Sequence, residues 1–113
     1  GMRQRAALLR TVVQNKSTLL LDEPFGALDA LTKQDLQTWL QQVWAEHNWT
    51  ALLITHDVRE AILLSDRVVV LSPRPAKVSL ILDVDLPKPR GIDALTSPRF
   101  LELERTLLQT LGS

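Results

Sequence analysis

Leu19, Leu20 and Leu21 run directly into Asp22, Glu23 and Pro24. The run reads as a short strand over Thr18 to Leu21. Pro24 forbids its extension as a central strand, because proline has no N–H to give to a ladder. The strand must therefore hand the chain over at two adjacent carboxylates. Two more apolar runs constrain the fold in the same way. Trp49 to Thr55 is near-continuously apolar from Ala51 to Ile54, the pattern of a parallel strand covered on both faces. Arg67 to Leu71 contains Val68, Val69, Val70 and Leu71, a strongly β-prone set.

The intervening segments have helical spacing. Gln4 to Val13 is dense in apolar residues, so this first helix is expected to be buried on more than one side. Asp29 suits a helix cap, and Leu36, Leu40, Val43 and Trp44 recur behind it, with Trp39 alongside. That helix is expected to end near His47-Asn48. Asp57 caps the next helix, with Glu60 at the capping-box position and Ala61, Ile62 and Leu64 on its apolar side. Ser72 to Pro75 is a rigid turn. Lys77 to Val84 partly alternates, which predicts a half-covered antiparallel strand. Pro87 to Gly91 is irregular. Ser97-Pro98 opens a last helix carrying Phe100, Leu101, Leu103, Leu107, Leu108 and Leu111.

Strands alternating with helices give an α/β class with a mainly parallel sheet and flanking helices. A chain of 113 residues has room for one ordinary domain, expected over 1–113. With 45% apolar residues and a formal net charge of zero, disorder is excluded. The balance gives no electrostatic case for nucleic acid or an acidic membrane surface. The absence of cysteine excludes disulfides and thiolate metal sites and fits a cytosolic setting. The apolar runs are far short of a membrane span. No signal peptide is expected, since Met2 is followed at once by Arg3, Gln4 and Arg5. Gly1 before Met2 suits either a tag remnant or native sequence.

The carboxylates carry the chemistry. Asp and Glu at the carboxyl edge of an apolar strand can hold Mg²⁺ and prime a water against a phosphate. If side chains alternate across the strand end, Asp22 faces the metal or its water while Glu23 faces the attacking water. His56 follows the second strand at the edge α/β folds use for ligands. There it can donate to a terminal phosphate or to the attacking water; the same position also suits a solvated loop histidine. His47 is more simply a charge partner for its helix end.

Other features read as structural. Lys16-Ser17-Thr18 imitates the end of a phosphate loop, but Val12-Val13-Gln14-Asn15 precedes it, and such a loop needs a glycine-rich arch of backbone amides. The chain's glycines are Gly1, Gly26, Gly91 and Gly112. Arg3, Arg5 and Arg10 form one face of the first helix. Trp39 and Trp44 belong to a core stripe rather than a stacking platform. The leucines of the last helix are core or dimer contacts.

Taken in order, Gly1 to Arg5, Leu19 to Glu23, Pro24-Phe25-Gly26-Ala27-Leu28-Asp29 and Thr55-His56-Asp57 resemble an ABC transporter ATPase subunit. The wording from Asp22 to Thr32, with Val70 to Pro75, is similar to the nitrate, sulfonate and taurine importer group. The resemblance implies a partial P-loop NTPase fold whose central Walker A strand is missing. Asp22 and Glu23 match the Walker B pair: Asp22 organises Mg²⁺ through water, and Glu23 is the catalytic carboxylate. Gly26 to Asp29 match the D-loop, which crosses the dimer interface. His56 matches the switch histidine on the γ-phosphate. Gly1, Arg3 and Gln4 match the end of the signature motif, whose Leu-Ser-Gly portion is not in the sequence. The Walker A loop, the adenine-stacking aromatic and the Q-loop are likewise not in it.

The resemblance therefore implies the C-terminal part of an importer's ATP-hydrolysing subunit, as a truncated piece without turnover of its own. The intact system uses ATP and Mg²⁺, and its partners are a permease, a second ATPase subunit and, indirectly, a solute-binding protein. It works in the cytoplasm, peripheral to the inner face of the membrane. A piece lacking a central strand is expected to self-associate. A non-catalytic interaction module and a soluble ABC ATPase of repair or translation are the alternative readings.

Overall fold

The computed structural model describes residues 18–47, 50–72 and 77–112. The first expected helix, Gln4 to Val13, and the Lys16-Ser17 turn lie outside the described residues. Two units are distinguished, 1–56 and 57–113.

In the first unit, β1 (Thr18–Asp22) is followed by α1 (Ala30–His47) and β2 (Thr50–Ile54). β1 and β2 pair in parallel, with Leu20 opposite Leu52 and Asp22 opposite Ile54. The strand period of two separates the side chains of β1. Leu19 and Leu21 are buried, whereas Leu20 is 53% exposed. Phe25, Leu36 and Leu40 are also buried, so the predicted stripe of α1 faces inward at its first two positions. Val43, Trp39 and Trp44 are half-buried. Gln37, which an apolar stripe does not anticipate, is buried as well. Leu52 is 61% exposed and Ile54 is 44% exposed. The two-sided cover expected for β2 is thus not found among the described residues, because a parallel strand obtains it only from layers packed on each face.

The second unit contains α2 (Val58–Leu64), β3 (Arg67–Leu71), β4 (Val78–Asp83), α3 (Ile92–Leu95) and α4 (Pro98–Leu111). β3 and β4 are antiparallel, with Val69 opposite Ile81 and Arg67 opposite Asp83. The expected α/β class is found, but the described strands form one parallel pair and one antiparallel pair rather than a mainly parallel sheet. Ile62, Val70, Val84, Phe100, Leu103 and Leu107 make the core of this unit. Leu101, Leu108 and Leu111 of α4 remain about half exposed. Ser97 accepts from the Phe100 N–H, and Pro98 at the first helical position sets φ for the turn that follows. α3 is a single turn that the sequence reading did not separate from its irregular surroundings.

α2 is capped at both ends, by different means. Asp57 Oδ1 accepts from the N–H groups of Arg59 at 3.0 Å and Glu60 at 3.2 Å, as its sequence position predicts. The far end carries no basic residue in its last turn. Arg90, only 3% exposed, supplies donors there instead. Its guanidinium donates to the carbonyls of Ile62 at 2.9 Å and Ser65 at 2.6 Å. It also donates to Leu86 O at 2.9 Å and Val84 O at 3.3 Å. One planar fork thereby ties the end of α2 to the segment after β4. Burial lowers the Arg90 pKa, and the charges of Asp66 and Asp85 oppose that shift.

Candidate functional site

The β1–β2 ladder ends at Asp22 and Ile54, and the chain leaves both strands at the same carboxyl edge. Glu23 N–H donates to Ile54 O at 2.8 Å, which extends the tie one residue beyond the strand. Glu23 itself has φ of 48°. This is the left-handed region, uncommon for a residue with a Cβ and costing about 1 kcal/mol or more. The strand therefore stops at Asp22, and the two carboxylates do not diverge by strand alternation. The turn at Glu23 separates them.

The turn is held from its other side as well. Gly26 N–H donates to Glu23 O at 3.3 Å, and Leu28 N–H donates to Phe25 O at 3.2 Å. Phe25 is completely buried, so the turn is anchored by a large side chain withdrawn from solvent. Gly26 has no positive φ. A Cβ there would meet Glu23 atoms only at ordinary contact distances of 3.6 Å or more. The glycine is therefore not demanded by this local geometry.

Glu23 Oε1 meets Nδ1 of His56, 33 positions away. The parallel register creates this pair, since it brings the residues after both strands to one edge. The His56 side chain is 95% exposed and that of Glu23 is 36% exposed. The carboxylate can orient the imidazole while the rest of the ring stays open to a ligand. Asp22 is exposed on the outward face of β1. It lies next to Glu23 in the chain and opposite Ile54 in the ladder. Among the described residues there is no group of three or more His, Asp or Glu side chains able to enclose a metal ion.

Asp29 has a separate role at the start of α1. Its Oδ1 accepts from Thr32 N–H at 2.8 Å, and its carbonyl accepts from Lys33 N–H at 2.9 Å. The Thr32 backbone N–H, followed by the Thr32 side chain, holds the Asp29 carboxyl below its ordinary range. Thus Glu23 and His56 are brought together, Asp22 lies on the strand that delivers Glu23, and Asp29 is engaged as a helix cap. Gly1, Arg3 and Gln4 lie outside the described residues.

The sequence reading missed the left-handed turn at Glu23. Its signal is weak: a tight stop before Pro24, with Gly26 three positions on. It also missed Arg90, whose partners are distant in sequence. The usable signal there was α2, which ends in Leu-Leu-Ser-Asp with no glycine or basic residue to satisfy its last carbonyls.

No protein-family model matches the chain. It is 47% identical over 109 residues to the aliphatic sulfonates import ATP-binding protein SsuB of Escherichia coli, covering 96% of this chain and 41% of that protein. It is 47% identical over 114 residues to the bicarbonate transport ATP-binding protein CmpC of Synechococcus elongatus, covering 99% of this chain and 17% of that protein. The nitrate import ATP-binding protein NrtC of the same species is also 47% identical, over 113 residues, covering 98% of this chain and 17% of that protein. The chain thus spans less than half the length of these relatives, all of them ATP-binding proteins of transport systems.

Proposed function

We propose that this chain is the water-activating part of an ABC-type ATPase that drives import of a small solute such as nitrate, a sulfonate or taurine. The observation that supports it best is the Glu23–His56 pair, held at the shared carboxyl edge of β1 and β2. In this reading residues 1–113 form part of one nucleotide-binding domain of P-loop type. Its partners are a membrane permease, a second ATPase subunit and, through the permease, a solute-binding protein. Its place is cytoplasmic, peripheral to the membrane. No helix among the described residues is long and apolar enough to cross one.

The residues fit the expected cofactor. Mg²⁺ in such sites takes one or two carboxylates, with water and substrate phosphates completing its shell. A lone exposed Asp22 suits that arrangement, whereas a closed protein cage does not. When bound with ATP, the ion neutralises developing phosphate charge. Glu23 then acts on the water. With Oε1 directed at His56, Oε2 is the oxygen that orients a water for attack. His56 meets Glu23 through Nδ1, and its other ring nitrogen, Nε2, would face a phosphate oxygen. Rigid placement matters more than covalent chemistry here, because phosphoryl transfer is catalysed mainly by positioning and charge stabilisation. The turn at Glu23 supplies such positioning.

The sequence itself contains no glycine-rich phosphate cradle. The 113-residue chain alone should therefore turn over no appreciable ATP, and robust turnover abolished by Glu23→Gln would overturn that expectation. A direct test replaces the matched segment of SsuB with residues 1–113 and measures ATP hydrolysis. The chimera should be active, and Glu23→Gln or His56→Ala should lower its turnover by about 100-fold or more, the scale for removing a catalytic acid–base group. A folded, active chimera indifferent to both substitutions would refute the proposed roles.

A further inference from the structure

We draw no further inference here: the strongest candidate, the outward apolar face of the β3–β4 hairpin formed by Val69, Leu71, Val78 and Ile81, carries nothing because the structure does not show what covers it.

Discussion

Replacing Arg90 by methionine keeps the aliphatic stem and removes the guanidinium. Five carbonyls, those of Ile62, Leu63, Ser65, Val84 and Leu86, then lose a donor. A buried acceptor left unpaired costs about 1–3 kcal/mol. Ser65 and Leu86 are only half-buried, so water can replace the donor at those two. Ile62 is fully buried, Val84 is 7% exposed and Leu63 is 8% exposed, so their carbonyls carry most of the loss, Leu63 least because its bond is the longest at 3.5 Å. Relief of the desolvation that lowers the Arg90 pKa offsets part of it. The expected cost is about 3–5 kcal/mol, from two to three buried acceptors left unpaired less the relieved desolvation. Against a total of roughly 6–17 kcal/mol for a chain of this size, that is a large share. Arg90→Lys, with a single ammonium in place of the fork, should lose about half as much.

Urea denaturation followed by far-ultraviolet circular dichroism gives the measurement. For a slope of about 2 kcal/mol/M, the midpoint of the methionine variant should fall by about 2 M. Amide exchange should accelerate in 58–64 and 84–86. Trp39, Trp44 and Trp49 all lie in residues 1–56, so their fluorescence reports the first unit separately. A loss below about 1 kcal/mol, or equal losses for the lysine and methionine variants, would refute the capping argument.

Glu23→Gly should leave stability unchanged or raise it by about 0.5–1 kcal/mol, because glycine accepts a positive φ without strain. It should also eliminate activity in the SsuB chimera; a loss of stability above 1 kcal/mol would show that the His56 contact outweighs the backbone term. Asp29→Ala should destabilise the chain at neutral pH and not at low pH. The folded-state pKa of Asp29 is depressed, so its contribution is present above the unfolded value and disappears as pH falls through the folded one. A pH-independent difference in thermal midpoint would count against the cap. Asp57→Ala should cost about 1 kcal/mol through the lost N-cap of α2, measured by the same urea titration. Asp57→Asn, which can still accept from Arg59 and Glu60, should lose much less, and equal losses would argue against capping.

Local chemistry was the legible part of the sequence. Pro24 limited β1, Asp57 started α2 and Ser97-Pro98 started α4, because each acts through its own backbone neighbours. Apolar runs revealed β1, β2 and β3, and partial alternation revealed β4. They did not reveal how the strands pair, since an apolar run is compatible with any neighbour that covers it. This is why β2 read as doubly covered although Leu52 and Ile54 are substantially exposed. Arg90 was illegible for a related reason: its role depends on carbonyls from 62–65, and carbonyls leave no mark on residue identity. At the site, Asp22, Glu23 and His56 were visible as residue types in order. The left-handed turn that aims Glu23 was not, because glutamate has no preference for it.

The parallel pairing of β1 with β2 has a consequence for how the site comes into being. Parallel strands cannot close through a tight hairpin and need a long crossover connection. Here that connection contains the whole of α1. Glu23 and His56 meet only when this long loop closes, an entropically costly event that occurs late compared with helix formation. The dyad is therefore a marker of completed long-range assembly. Peptides spanning either strand end alone carry one of its two residues and none of its geometry.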